Sequence, residues 1–214
     1  GPAVAFSDFQ ENRRVIRAGR FKLIVRGNLR SILFDLGTGL RFFGESLPAD
    51  EVFHGISLVT HLHWDHVQGL PFFTPTFQAG NHFTLWGSPS LERSLEVVLR
   101  QQMSPVVFPV NFDQLSARME VRTLEGLRHR GPGYEMTTIN VRHPGSALGF
   151  RVSASHDANR SVIFIPDNEL DPFGDHADSA STWVEIPGIP FTARTVPEPS
   201  IAFAIRLVTS IDWS

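Results

Sequence analysis

The stretch Thr60-His61-Leu62-His63-Trp64-Asp65-His66 constrains this chain more than any other part of it. It gathers three imidazoles and a carboxylate directly after the apolar run Ile56-Ser57-Leu58-Val59. That run reads as a buried strand, and Val67-Gln68-Gly69-Leu70 then turns away before Pro71. Alternate residues of an extended segment face the same side, so His61 and His63 point together. Neutral imidazole nitrogens and a carboxylate oxygen are what a borderline cation such as zinc takes, at about 2.0–2.2 Å. Without a cation, desolvation and charge repulsion make such a group a poor core patch. The stretch is therefore a metal site at a strand end.

Its pattern, His-X-His-X-Asp-His after a strand, resembles the signature of the metallo-β-lactamase-fold hydrolases. The resemblance extends to the turn Asp35-Leu36-Gly37-Thr38-Gly39 upstream. It continues through Asp65-His66-Val67-Gln68-Gly69-Leu70-Pro71-Phe72-Phe73, Gln102-Met103-Ser104-Pro105, Phe108-Pro109-Val110, His143-Pro144-Gly145 and Pro166-Asp167-Asn168-Glu169. These segments occur in the order seen in a bacterial branch resembling ribonuclease Z and related phosphodiesterases. The likeness covers about residues 30 to 175 and implies an α/β sandwich, αββα, of two mostly antiparallel or mixed sheets with helices outside. The motif is specific for the superfamily and weakly specific for substrate, because the fold hosts many hydrolases.

Size and composition agree with one domain over residues 1–214: 214 residues suffice for a sizeable core. Phe is common, 18 against a single Tyr, so aromatic packing should be dry. No apolar run approaches the roughly 20 residues of a membrane helix, and no secretory signal opens the chain. Gly1-Pro2 has the form of a protease-cleavage remnant. With no cysteine there is neither disulfide nor thiolate ligand, which fits a cytoplasmic protein. A net charge of −3 argues against a broadly basic nucleic-acid surface and leaves room for a local basic groove.

Strands are expected at 21–26 and 31–35, with Gly27-Asn28 as turn residues between them. Others are expected at 83–86, 119–124, 136–141, 149–152 and 161–165. Ser88-Pro89 should open a helix, with Leu91, Leu95, Val98 and Leu99 on its core face and Glu92, Arg93, Glu96 and Arg100 mostly outside. Residues 177–214 form an atypical, proline-broken tail in which only Ile201–Val208 reads as a strand. The family's opening strand and Gly/Ser-rich loop are not evident, so the ends read as altered or shortened.

The resemblance also implies a ligand set. His61, His63 and His143 would hold one metal, Asp65 and His66 a second, and Asp167 would bridge them. His143 and Asp167 each follow an expected strand. A loop histidine before a turn, and a turn residue in Pro-Asp-Asn, remain the plainer alternatives for them. The family's usual C-terminal histidine has no obvious counterpart, since the last histidine is His176. His54, His82, His129 and His156 read as ordinary surface or partly buried residues. Asp35 reads as an orienting or turn residue. Trp64, Phe72 and Phe73 read as core aromatics in preference to pocket walls, and Glu169 is either exposed or a proton-transfer aid.

The implied activity is hydrolysis of a small-molecule or nucleotide phosphodiester by metal-activated hydroxide, with Asp65 orienting or deprotonating the water. One or two zinc ions fit best, and manganese or iron also suits mixed nitrogen and oxygen ligands. The alternatives are a carbonyl hydrolase for an ester, lactone or β-lactam, or a metal-binding domain without turnover. A homodimer is compatible with the chain, and a membrane partner is not expected.

Overall fold

The computed structural model describes residues 4–7, 20–25, 28–88, 94–155, 157–165, 167 and 206–207. For 4–7, 20–25, 28–30, 157–163 and 206–207 the description is of the backbone. Two compact units divide after Leu124.

The first unit contains β1 (Val4–Ser7), β2 (Arg20–Val25), β3 (Asn28–Phe34), helix α1 (Gly39–Glu45), β4 (His54–Leu58), helix α2 (Trp64–Val67), β5 (His82–Gly87), helix α3 (Leu95–Gln102) and β6 (Arg118–Thr123). The strands form one mixed sheet in the order β1 to β6. β2 and β3 pair antiparallel, while β3, β4, β5 and β6 run parallel. The expected hairpin at 21–35 is present, but Asn28 lies in β3 opposite Val25 and is not a turn residue. β1 pairs with both β2 and β3, so the chain does have an early strand where none was evident.

Helices between parallel strands bury one face of the sheet. Leu33, Phe83 and Leu85 meet Leu40 and Phe43 of α1 and Leu95 and Leu99 of α3 in one core. The phenylalanine-rich composition is spent here. Phe53 packs edge-on against Phe73 at 5.2 Å and Phe83 at 5.6 Å, and Phe43 stacks on Phe73 at 6.1 Å. Such pairs add about 0.5–1.5 kcal/mol each beyond area burial. The core face of α3 is as expected, but Ser94 caps the helix by accepting from the Val97 N–H at 3.3 Å. Ser88 is not the cap, and Pro89, Leu91, Glu92 and Arg93 lie outside the described residues.

The second unit is an antiparallel sheet of β7 (Arg128–Gly131), β8 (Tyr134–Val141), β9 (Ala147–Ala154), β10 (Asp157–Phe164) and β11 (Arg206–Leu207), in the order β11-β10-β9-β8-β7. β7, which sequence patterning did not mark, joins β8 through Pro132-Gly133, where Gly133 has φ +83°. Proline followed by a positive-φ glycine is the type II turn pairing. β11 falls inside the expected strand at 201–208; the rest of the 177–214 tail lies outside the described residues. No helix among the described residues is long and apolar enough to cross a membrane.

Candidate metal centre

Three chain segments build the centre at the carboxyl ends of β3 and β4. β3 delivers Asp35, which leaves the strand with φ +60°. Aspartate is among the few residues that adopt this backbone without severe cost. Its N–H donates to Leu58 O at 3.0 Å, holding the two parallel strand ends together. β4 delivers Thr60 and His61, and α2 delivers Asp65 and His66, with His63 as its N-cap residue in extended conformation.

The turn after β3 and the end of α2 are stitched by backbone bonds. Leu36 N–H donates to His66 O at 2.7 Å, and Gly69 N–H donates to Leu36 O at 2.6 Å. A Cβ on Gly69 would overlap the Gly37 carbonyl oxygen, so only glycine permits this approach. From the other side, the Gln102 amide donates to Val67 O at 3.1 Å.

One carboxylate orients two imidazoles. Asp35, 1% exposed, accepts at Oδ1 from the Thr60 N–H at 2.7 Å and the Thr60 hydroxyl at 2.8 Å. Its Oδ2 lies 2.8 Å from His66 Nδ1. Because the Thr60 proton goes to Asp35, the Thr60 oxygen is left to accept, and His61 Nδ1 stands 3.1 Å from it. Nδ1 of each histidine is held in this way, which leaves Nε2 as the nitrogen turned toward the other members of the segment. His61 Nε2 lies 3.1 Å from His63 Nδ1, and His66 Nε2 lies 3.3 Å from Asp65 Oδ2. The His61 ring centroid is 4.6 Å from that of His63 and 4.1 Å from that of His66.

This donor set fits a divalent cation. Buried His61 and His66 have their Nδ1 atoms anchored, which is how protein ligands are held for metal through the other nitrogen. His63 is exposed and Asp65 half-exposed, so the donors open toward solvent on one side. No thiolate competes, since the chain has no cysteine.

His61, His63, Asp65 and His66 are thus brought together as expected, and Asp35 takes the orienting role. In the second unit, His143 follows β8 and begins a turn in which Ser146 N–H donates to His143 O at 3.1 Å, with Gly145 at φ +82°. Asp167 lies just beyond β10 with φ +27°. Thr138 of β8 and Phe164 of β10 both pair with Phe150 of β9, so β8 and β10 leave the sheet at the same end. His143 and Asp167 share that end. His156, Pro166, Asn168, Glu169 and His176 lie outside the described residues.

Two expectations are corrected. Phe73 is fully buried in the core, but Trp64 and Phe72 are 60% and 54% exposed. The helical turn that points His66 inward turns Trp64 outward, and Phe72 ends a short 3-10 turn (Leu70–Phe72) whose Leu70 and Pro71 take the buried positions. Sequence reasoning also missed the part of Thr60, whose signal was its place between the strand and the first ligand.

A family model described as beta-lactamase superfamily domain matches residues 30–199, running past the stretch that the motifs alone carried. Ribonuclease Z of Lactobacillus helveticus is 29% identical over 100 residues, covering 42% of this chain and 32% of that protein. Ribonuclease BN of an Enterobacter species is 30% identical over 102 residues, covering 46% and 30%. The chain spans about a third of the length of the curated relatives it matches. The crystal structure of human tRNase Z, short form, aligns at a TM-score of 0.48 with 16% identity, over 76% of this chain and 68% of that one. With the motif, the mixed α/β architecture in two sheets and a family model matching most of its length, the chain belongs to the beta-lactamase superfamily and has the metallo-β-lactamase fold.

Proposed function

We propose that this chain is a metal-dependent hydrolase that cleaves a phosphodiester to a phosphomonoester and an alcohol. The observation that carries the reading is the Asp35-anchored pair of imidazoles, His61 and His66, presenting Nε2 atoms beside His63 and Asp65. Similarity to proteins called ribonuclease Z supports a nucleic-acid phosphodiester as the substrate class. In this reading His61, His63 and His143 would hold one zinc ion, Asp65 and His66 would hold a second, and Asp167 would serve both. A single family model running through both units supports treating them as one domain and His143 and Asp167 as members of the set.

Divalent zinc, when bound, lowers the pKa of water toward neutrality and neutralises charge on the phosphoryl oxygens. The protein's own groups do the rest. Asp35, directly and through Thr60, holds the Nδ1 sides of His66 and His61, so that Nε2 of each is the nitrogen left for a metal. Asp65, half-exposed on α2, orients the attacking water and takes its proton. The proton then returns to the leaving oxygen through solvent.

Elemental analysis paired with hydrolysis of bis(p-nitrophenyl) phosphate, a lactone and a β-lactam tests the reading. His63→Ala should lose metal and phosphodiesterase activity together. Asp65→Asn should fold normally and lose about two orders of magnitude in rate, the scale of general-base help. Preferred turnover of the lactone or β-lactam would replace the phosphodiester, and bound metal with no turnover of any substrate would overturn the enzymatic reading.

A further inference from the structure

Gln102 is a buried polar side chain that neither the core nor the ligand set accounts for. It is the last residue of α3 and only 7% exposed, next in the chain to the fully buried Met103. Its amide nitrogen donates to Val67 O at 3.1 Å, joining residues 35 apart. Its Oε1 is buried and accepts no hydrogen bond from any described residue. The amide cannot be turned end for end, because Oε1 would then face the Val67 carbonyl oxygen. An unmet buried acceptor is destabilising, and an apolar side chain of this length would fill the position without one. What glutamine adds here is the bond to Val67.

That bond lands on the helix that carries the ligands. Val67 ends α2, a helix of four residues that starts directly after His63. So short a helix has no interior, and the carbonyls of its last turn need partners from outside it. Leu36 N–H, from the turn after β3, donates to His66 O at 2.7 Å, and the Gln102 amide, from the end of α3, donates to Val67 O. Asp65 and His66 ride on this helix, and His63 O accepts the His66 N–H at 3.0 Å. The same end of α3 meets the chain again where it leaves α2. Phe108, whose N–H donates to Ser104 O at 2.8 Å, closes edge-on against Phe72 at 5.8 Å.

We propose that Gln102 is a positioning residue for the metal centre: its amide holds the end of α2 to α3 and so sets how His63, Asp65 and His66 stand toward a cation. The inference rests on the metal-dependent reading above and adds a residue from outside the ligand segment. Outer partners of a metal site commonly carry about ten- to a hundred-fold of its affinity. Gln102 acts through a backbone carbonyl and not on a ligand directly, which places its effect at the lower end of that range.

Gln102→Met keeps length and apolar bulk, removes the bond to Val67 and removes the unmet acceptor. In metal-free protein the last two changes oppose each other, so the urea midpoint should stay near that of the unaltered chain. Zinc affinity, measured against a competing chelator, should fall about tenfold. Gln102→Leu should behave in the same way. Leu95→Ala is the control, since it opens a cavity at the other end of α3, where Leu95 packs against Gly87. It should lower the urea midpoint and leave zinc affinity largely unchanged. Cobalt(II) loaded in place of zinc reports the geometry of the donors. Its visible absorption band should change in Gln102→Met and stay as it is in Leu95→Ala.

Unchanged zinc affinity in both apolar variants of Gln102 overturns the inference and leaves the hydrolase reading intact. A fall that Leu95→Ala reproduces, or that leaves the cobalt band unaltered, overturns it too, because general loosening of α3 then suffices. A selective tenfold loss in a protein that hydrolyses no phosphodiester supports the positioning role and removes the hydrolase reading. Absence of zinc binding by the unaltered chain overturns both.

Discussion

Asp35 Oδ2 lies 2.8 Å from His66 Nδ1, so a carboxylate at the end of one strand sets the proton on an imidazole 31 residues later. The same carboxylate reaches His61 through the Thr60 hydroxyl. Asp35→Asn should keep the fold, because asparagine also tolerates the positive φ and can still accept from Thr60. It removes the negative charge that supports ligand basicity. Metal affinity should fall about 10- to 100-fold, the usual cost of losing such an orienting partner. Zinc titration against a competing chelator measures this, and unchanged affinity would show that Asp35 serves only the turn.

Gly69 is the steric counterpart of that electrostatic link. Its backbone sits against the Gly37 carbonyl so closely that a methyl group has no place, and its N–H donates to Leu36 O. Neither neighbour is a flexible side chain that can swing aside. Gly69→Ala should destabilise by about 1–3 kcal/mol or more, as overpacking does. It should also weaken metal binding by separating the turn from α2. Urea unfolding of metal-free protein reads the first effect, and a midpoint equal to that of the unaltered chain would show that the turn relaxes.

Glu120 gives the first unit an acid-sensitive element away from the metal. Burial alone would raise its carboxyl pKa. That is outweighed by the Arg122 hydrogen bond and charge, with His82 and Arg118 adding to them, so the group titrates below its ordinary value. Arg118 Nη2 is 2.6 Å and His82 Nε2 3.1 Å from Oε1, and Arg122 Nη2 is 2.5 Å from Oε2. A lowered folded-state pKa means the stabilisation is complete above the unfolded-state value. It is lost as pH falls through the folded-state value. Glu120→Gln should therefore lower Tm near pH 7 and converge on the original chain at acid pH. A Tm difference that stays constant from neutral to strongly acid pH would remove Glu120 as the source.

The ligand segment was legible because its chemistry is local: His61, His63, Asp65 and His66 are neighbours in sequence, and the alternation of an extended strand aims the first two together. β3 and β4 were legible as short apolar runs, β5 by its alternation, and the core face of α3 as a helical repeat. What escaped depends on contacts distant in sequence. Ser94, and not Ser88, caps α3, a choice that propensity leaves open because both serines suit the position. β7, as Arg128-His129-Arg130-Gly131, carries no apolar pattern and is a strand because β8 pairs with it. Trp64 and Phe72 were assigned to the core by residue type, yet His66, Val67, Leu70 and Pro71 take the inward positions of that segment. The role of Thr60 required knowing that Asp35 lies beside it.

The two proposed metal positions should differ in strength. The first draws on His61, which is 2% exposed, anchored through Thr60 and 3.1 Å from its co-ligand His63. The second draws on Asp65, whose side chain is 49% exposed, beside the well-held His66. Ordering an exposed carboxylate costs side-chain entropy that a buried, anchored imidazole has already lost. Three protein ligands with an open position can still hold a catalytic ion, but this set is less prepared for one. Zinc added to metal-free protein and followed by heat should therefore show one tight site, then a second that is weaker or not filled. Asp65→Asn should change only the weaker phase, and His63→Ala should abolish the tight one. Two tight sites of similar affinity would refute the ranking and point to a further ligand for the second ion, with His176 the first residue to replace.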